Sequence, residues 1–273
     1  MIETEYRLNT PVSIALLGDL HGRPHDKIIE SLRANHPEII CFVGDLIYGS
    51  WPEDDVSPLV KQNSVLEFLK LCSSIAPTFF SLGNHEQMLD RDDLNLIAAT
   101  GAAILDNDFT TITVNNNPLV IGGLTSAYVT DYRKMTENVK NGGRYPKKEI
   151  IAGLEGIRTA SEHVPDTEWL QDFVAADPDA THIILSHHPI YHSLISDSAD
   201  LILAGHLHGA QWRYYSILKH EWRGVFNPDE GFWPRYSKGV YENGRLVITA
   251  GLSNTARIPR INNPTEVVFI EPA

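Results

Sequence analysis

Cysteine is nearly absent from this chain of 273 residues, which has only Cys41 and Cys72, far apart and without CxxC spacing. That excludes a zinc ribbon and a disulfide-stapled scaffold. Cys41 falls in an apolar run and Cys72 in a helical pattern, so both read as buried free thiols. Long hydrophobic runs are missing too, since no stretch approaches the ~18 apolar residues of a membrane-spanning helix. The first residues carry Glu3, Glu5 and Arg7 and lack the basic start and apolar centre of a signal peptide, so a cytoplasmic protein is expected. Basic charge is scarce, with 22 Lys and Arg against 35 Asp and Glu and a net charge of −13. Nucleic acid needs a basic track for its phosphates, so no nucleic-acid partner is expected. There is no internal repeat, low-complexity stretch or linker. With 42% hydrophobic and 21% charged residues, the chain reads as one globular domain over residues 1–273. Nothing in the sequence bears on oligomeric state.

What is present is a rhythm. Apolar runs at residues 12–17, 38–43 and 77–82 each end in Gly-Asp or Gly-Asn. Helical patterns at 24–35, 57–75 and 90–100 alternate with them. This β-α-β order predicts parallel strands joined by right-handed crossovers. Beyond residue 100 come short strands at 103–105, 109–114 and 119–121, with a hairpin turn at Asn115-Asn116-Asn117. Helices are predicted at 146–163 and 166–176. Strands at 181–185 and 200–204 both run into histidines. Strands at 240–241, 246–249 and 266–270 complete the set, with a hairpin signal at Asn243-Gly244. The fold class that fits is α/β, a four-layer α/β/β/α sandwich of two mixed sheets flanked by helices. Its ligand-binding loops would gather outside the strand carboxyl ends.

Five short segments at those strand ends carry oxygen and imidazole donors. They are Gly18-Asp19-Leu20-His21-Gly22, Gly44-Asp45, Gly83-Asn84-His85-Glu86, Ser186-His187-His188-Pro189 and Gly205-His206-Leu207-His208. In Asp19-Leu20-His21 and His206-Leu207-His208 the donors stand at i and i+2, on the same side of an extended segment. A carboxylate has two oxygens with which to bridge, and Asp45 stands alone on its loop. The amide oxygen of Asn84 can bind a cation without adding charge. This donor mixture favours transition metals over calcium or magnesium. Two divalent ions ~3.5–4 Å apart can share a hydroxide that attacks phosphorus, and His85 is the candidate general acid for the leaving oxygen. Two cations would also explain how so acidic a chain attracts an anionic phosphate. Of 12 histidines this reading uses five, leaving His188 beside the donors and His25, His36, His163, His182, His192 and His220 as structural or solvent-facing.

In this order the five segments resemble the calcineurin-like metallophosphoesterase family, over residues 12–252. The resemblance implies one metal held by Asp19, His21, Asp45 and His208. It implies a second held by Asp45, Asn84, His187 and His206, with Asp45 bridging and His85 unligated near the leaving group. The family's His-x-Pro selects His187 over His188 as the ligand. Residues 200–211, Ala250-Gly251-Leu252 and Asn263-Pro264-Thr265-Glu266 resemble the YkuE-like phosphodiesterase branch. The implied protein is a phosphoesterase using two divalent ions (manganese, iron, zinc or nickel) on a small phosphate ester. A phosphodiesterase is favoured, with a phosphomonoesterase as the alternative. A non-catalytic scaffold of the same fold would be expected to have lost ligands, and this chain keeps them all.

Residues 211–241 are dense in aromatics and hold Arg213, Arg223 and Arg235. They read either as an ordered loop with its own small core or as a substrate-side wall. As a wall, they would offer an arginine to phosphate, and changing them would alter substrate preference without altering metal content. Arg23, Arg257 and Arg260 are further candidates for phosphate contact. Residues 128–144 read as a solvated surface excursion.

Overall fold

The computed structural model describes residues 1–49, 57–62, 64–131, 133, 164–254 and 258–273. In chain order the first half contains β1 (Ile2–Leu8), β2 (Ile14–Leu17), α1 (Asp26–Asn35), β3 (Ile39–Phe42), α2 (Pro58–Lys61), α3 (Ser64–Ile75), β4 (Thr78–Ser81), α4 (Arg91–Ala98), β5 (Ala103–Leu105), β6 (Asp108–Val114) and β7 (Asn117–Leu124). The second half contains α5 (Leu170–Ala175), β8 (Thr181–Ser186), α6 (His192–Ile195), β9 (Leu201–Ala204), β10 (Arg213–Ser216), β11 (Glu221–Gly224), β12 (Phe226–Asn227), β13 (Gly231–Phe232), β14 (Gly239–Tyr241), β15 (Leu246–Ile248) and β16 (Glu266–Pro272).

Two six-stranded sheets form, in the orders β1-β16-β2-β3-β4-β5 and β14-β15-β9-β8-β7-β6. In the first, β2 to β5 run parallel, while β16 is antiparallel to β2. In the second, β15, β9, β8 and β7 run parallel, with antiparallel β14 and β6 at the edges. Strand alternation divides the apolar residues into three layers. Ile14, Leu16, Ile39 and Cys41 meet Ile183, Leu185, Leu201 and Leu203 between the sheets. Ala15, Leu17, Ile40 and Phe42 face the other way, against Ile28, Leu32, Phe68 and Leu69 of α1 and α3. On the far face Val120, Ile184 and Ile202 pack against Leu170 and Phe173 of α5 and Ile195 of α6. Helix, sheet, sheet, helix is the layering expected from the sequence.

Three details differ. Residues 57–75 do not form one helix. Gln62 ends α2 in a non-helical conformation (φ −120°, ψ 42°), and its side chain bonds both the N–H and the carbonyl of Tyr48. β1 has no counterpart in the sequence reading. It is an edge strand paired to β16, with alternate residues exposed, so it carries charge and shows no apolar run. The helix expected at 166–176 is confined to α5. The helix expected at 146–163 lies outside the described residues, as do Arg257, His163 and residues 134–144 of the surface excursion. Both predicted hairpins form. Asn115 and Asn116 take φ of 49° and 67° between the paired Val114 and Asn117, and Asn243-Gly244 links β14 to β15.

Candidate metal centre

β2, β3 and β4 of one sheet and β8 and β9 of the other all end at one edge, and the five donor segments follow them directly. The loops after β2 and β3 are laced together by main-chain bonds. Asp19, His21 and Gly22 donate to the carbonyls of Gly44, Asp45 and Leu46 at 2.9–3.0 Å. Asp19, His21, Asp45, His206 and His208 all have left-handed backbone, with φ between 47° and 67°. Non-glycine residues seldom adopt it, so the loops hold these five donors in a costly backbone conformation.

Every site residue named from the sequence converges here. Asp45 Oδ2 lies 3.2 Å from His187 Nε2, 3.7 Å from His21 Nε2 and 3.8 Å from His85 Nε2. Asp19 Oδ1 lies 3.5 Å from His208 Nε2 and 3.9 Å from His21 Nε2. Asn84 Oδ1 is 3.1 Å from His187 Nε2, and the His206 N–H donates to Asp19 Oδ2 at 3.2 Å. Asp19, His21 and His208 form one compact donor group, and Asp19, Asp45 and His187 form another.

Hydrogen-bond partners decide which ring nitrogen each histidine offers. The Nδ1 of His187 faces the Val43 carbonyl at 2.7 Å, and that of His21 faces the Ile47 carbonyl at 3.3 Å. Both rings therefore donate at Nδ1 and turn Nε2 towards the carboxylates, as a lone pair in the neutral His21 and as a proton in His187 until a cation displaces it. His85 is opposite. Its Nδ1 accepts from the Gly49 N–H at 2.8 Å, so the neutral ring carries its proton on Nε2. His208 Nδ1 stands 3.0 Å from Arg260 Nη2, and the ring shares the Ser253 carbonyl with that guanidinium. His188, the alternative ligand to His187, places Nε2 2.8 Å from the Ser126 hydroxyl.

Electrostatics follow from burial. Burial lowers His21 to about 4, and burial together with Arg260 lowers His208 to about 3, so both rings are neutral and able to ligate. Burial alone would depress His187 as well, but Asp45 overrides it and raises His187 to about 10. Burial pushes Asp45 up, yet His187 and His85 together hold it well below the usual carboxylate range.

Asp19 Oδ1 and His21 Nε2 are buried and have no hydrogen-bond partner. Buried polar atoms are rarely left unsatisfied. Two such lone-pair donors facing each other at 3.9 Å fit a divalent cation, and the oxygen–imidazole set around Asp45 fits a second.

Three residues here were not assigned from sequence. Glu86 is fully buried. Its Oε2 accepts from the N–H groups of Asp45 and Gly83 at 2.8 Å, and its Oε1 accepts from Leu46 at 2.8 Å and Ile47 at 3.3 Å. Burial, then the charge of Asp45, raises its pKa to about 7. It stands inside the quoted motif, so the signal was available. Arg260 had been a minor phosphate candidate, but it donates to the carbonyls of Ala250 and Ser253 beside His208. Asp229, which nothing in the sequence distinguished, places Oδ1 3.2 Å from His206 Nε2.

The three arginines of residues 211–241 turn to other partners. Arg213 donates to the Trp222 carbonyl, Arg223 pairs with Glu221, and Arg235 pairs with Glu242. A cavity of about 280 Å³ opens beside the centre, lined by His21, Gly22, Arg23 and Tyr48.

Fold and site together define a metal-dependent phosphoesterase class, and comparison with known proteins agrees. Residues 12–210 match the family model for calcineurin-like phosphoesterases. The chain belongs to that family. It is 23% identical over 249 residues to an uncharacterised protein, YpbG, of Bacillus subtilis, covering 90% of this chain and 74% of that one. It is 25% identical over 277 residues to an uncharacterised metallophosphoesterase, Cj0846, of Campylobacter jejuni, covering 96% of this chain and 59% of the relative. Among solved structures, the Thermus thermophilus sulfate thiohydrolase SoxB shares the fold at 14% identity and a TM-score of 0.50, covering 90% of this chain and 54% of that one. This chain thus spans little more than half the length of two of these three. Among the described residues no helix is long and apolar enough to cross a membrane.

Proposed function

We propose that the chain hydrolyses phosphate esters with two divalent cations, one held by Asp19, His21, Asp45 and His208 and the other by Asp45, Asn84, His187 and His206. The observation that carries this reading is the facing pair of buried, unpartnered donors, Asp19 Oδ1 and His21 Nε2, beside an Asp45 carboxylate within 3.8 Å of three imidazoles. Bound ions of this kind supply Lewis acidity towards phosphoryl oxygen and an activated water. The chain's residues do the rest. Asp45 Oδ2 reaches a ligand of each proposed set, His21 at 3.7 Å and His187 at 3.2 Å. Val43 and Ile47 fix the His187 and His21 rings by their carbonyls. His85 presents an Nε2 proton for the leaving oxygen, and at a quarter exposed it is the most open of the imidazoles around Asp45. Imidazole, amide and carboxylate donors together suit manganese, iron, zinc or nickel.

The phosphodiester is the preferred substrate class, on the resemblance of residues 200–211 and 250–252 to the YkuE-like branch. Arg23 and Tyr48, at the open cavity, are positioned to meet a small ester. The test is a matched pair of chromogenic esters, one mono and one di, assayed with manganese. A higher kcat/KM for the diester is expected. Strong preference for the monoester overturns the diester assignment, and silence on both esters with metal bound overturns the hydrolase reading.

A further inference from the structure

The excursion at residues 211–241 reaches the centre through an acid, not through an arginine. Asp229 sits in the turn between β12 and β13. Asn227, fully buried, builds that turn. Its Oδ1 accepts the N–H of Asp229 at 3.0 Å and of Glu230 at 2.7 Å, and its Nδ2 donates to the Tyr236 carbonyl at 3.1 Å. Glu230 adds a second tie by accepting the N–H groups of Arg235 and Tyr236. The turn is therefore rigid, and it drives the Asp229 side chain inward until 3% of it remains exposed. There Oδ1 lies 3.2 Å from His206 Nε2, and Oδ2 lies 4.0 Å from His188 Nδ1. Oδ2 has no hydrogen-bond partner of its own.

A buried carboxylate is costly unless something nearby repays it. Accepting from His206 Nε2 puts that ring's proton on Nε2 and leaves Nδ1 as the lone pair. His206 then offers Nδ1 where His21 and His187 offer Nε2. The carboxylate also fixes the plane of the ring and raises its basicity as a ligand.

We propose that Asp229 is a positioning residue for the cation that His206 holds, so that residues 211–241 contribute to metal affinity. This rests on the two-cation reading above. It reverses the expectation that changes in this segment leave metal content intact. The backbone of the turn is held by Asn227 and Glu230, so replacing the Asp229 carboxylate removes the contact to His206 and spares the turn.

The experiment is calorimetric titration of manganese into chelator-stripped wild type, Asp229→Asn and Asp229→Ala, with urea unfolding of each stripped protein alongside. Wild type is expected to bind two ions. Asp229→Ala is expected to weaken one of them about 10–100-fold and leave the other unchanged, with Asp229→Asn between, because the amide oxygen still accepts from His206. In a His206→Ala background the Asp229 substitution should have no further effect. Unchanged affinity at both sites in Asp229→Ala overturns the inference while the two-cation reading stands. So does equal weakening of both sites together with a matching loss of stability in the stripped protein, which is the mark of a structural role. A wild type that binds no manganese overturns both.

Discussion

Glu86 Oε2 and the backbone N–H of Asp45 are 2.8 Å apart, and through this bond a fully buried carboxylate holds the loop that carries the central donor. The same side chain also holds Gly83, Leu46 and Ile47, so one residue ties the end of β3 to the end of β4. Glu86→Ala strands several buried N–H groups and should cost about 2–4 kcal/mol, read as a lower urea midpoint in metal-free protein. Glu86→Gln keeps one acceptor oxygen and should lose less. If Glu86→Ala unfolds at the wild-type midpoint, the brace is unimportant to stability.

Gly44 makes a second such joint possible. Its φ is +94°, and a Cβ there would stand 2.5 Å from the Gly83 nitrogen and 2.9 Å from His187 Nδ1. Neither neighbour is a flexible side-chain end, so the loop must move. Gly44→Ala should destabilise by about 2 kcal/mol or more and weaken cation binding by displacing Asp45. Gly231 also has positive φ (+76°) but has nothing within 4 Å of the same added atom. Gly231→Ala should therefore show only the backbone cost, about 1 kcal/mol, with cation binding unchanged. Equal effects of the two substitutions would refute the steric argument.

The donor set was legible in sequence because each donor follows a strand end, and a strand end in an open α/β sheet faces the ligand crevice. The layering was legible for a similar reason, since buried strands read as short apolar runs between helical patterns. The rest depends on contacts between distant residues. Asp229 sits in an ordinary-looking Asn-Pro-Asp-Glu-Gly turn, and only the return of the chain brings it to His206, 23 positions earlier. β1 was invisible because its partner, β16, lies at the other end of the chain. The arginines of residues 211–241 suggested phosphate contact by composition alone. Their pairing with Glu221, Glu242 and a carbonyl is a tertiary fact.

The two thiols give a test of packing that is independent of the metals. Cys41 lies between the sheets and Cys72 lies on α3, both with no exposed surface. Burial raises both pKa values, that of Cys72 to about 12 and that of Cys41 further. A thiol-specific chromogenic reagent should label neither residue in native protein near neutral pH and both in denaturant, at a rate set by unfolding. Fast native labelling of one thiol would show that its core layer opens.

Arg23 is exposed beside His21 and Tyr48 at the open cavity, so it is the cation best placed to meet a substrate's phosphate or a charged substituent. Arg23→Ala should raise KM about 10-fold with kcat little changed, the pattern of lost uniform binding. Metal content should stay at the wild-type level. A fall in kcat at constant KM would place Arg23 in the chemical step instead.

His85 offers the sharpest chemical test, because its two nitrogens are assigned by geometry. The Gly49 N–H occupies Nδ1 at 2.8 Å, which leaves the proton on Nε2, facing Asp45 at 3.8 Å. A proton held there matters only when the leaving group needs one. His85→Asn should therefore lower kcat about 10²–10⁴-fold on an alkyl ester, whose alkoxide must be protonated as it departs. On a nitrophenyl ester, whose phenolate leaves unaided, the loss should be far smaller. The variant should bind cations as wild type does, because His85 is not one of the proposed ligands. An equal loss on both esters would remove the general-acid role, and a loss of bound metal would make His85 a ligand instead.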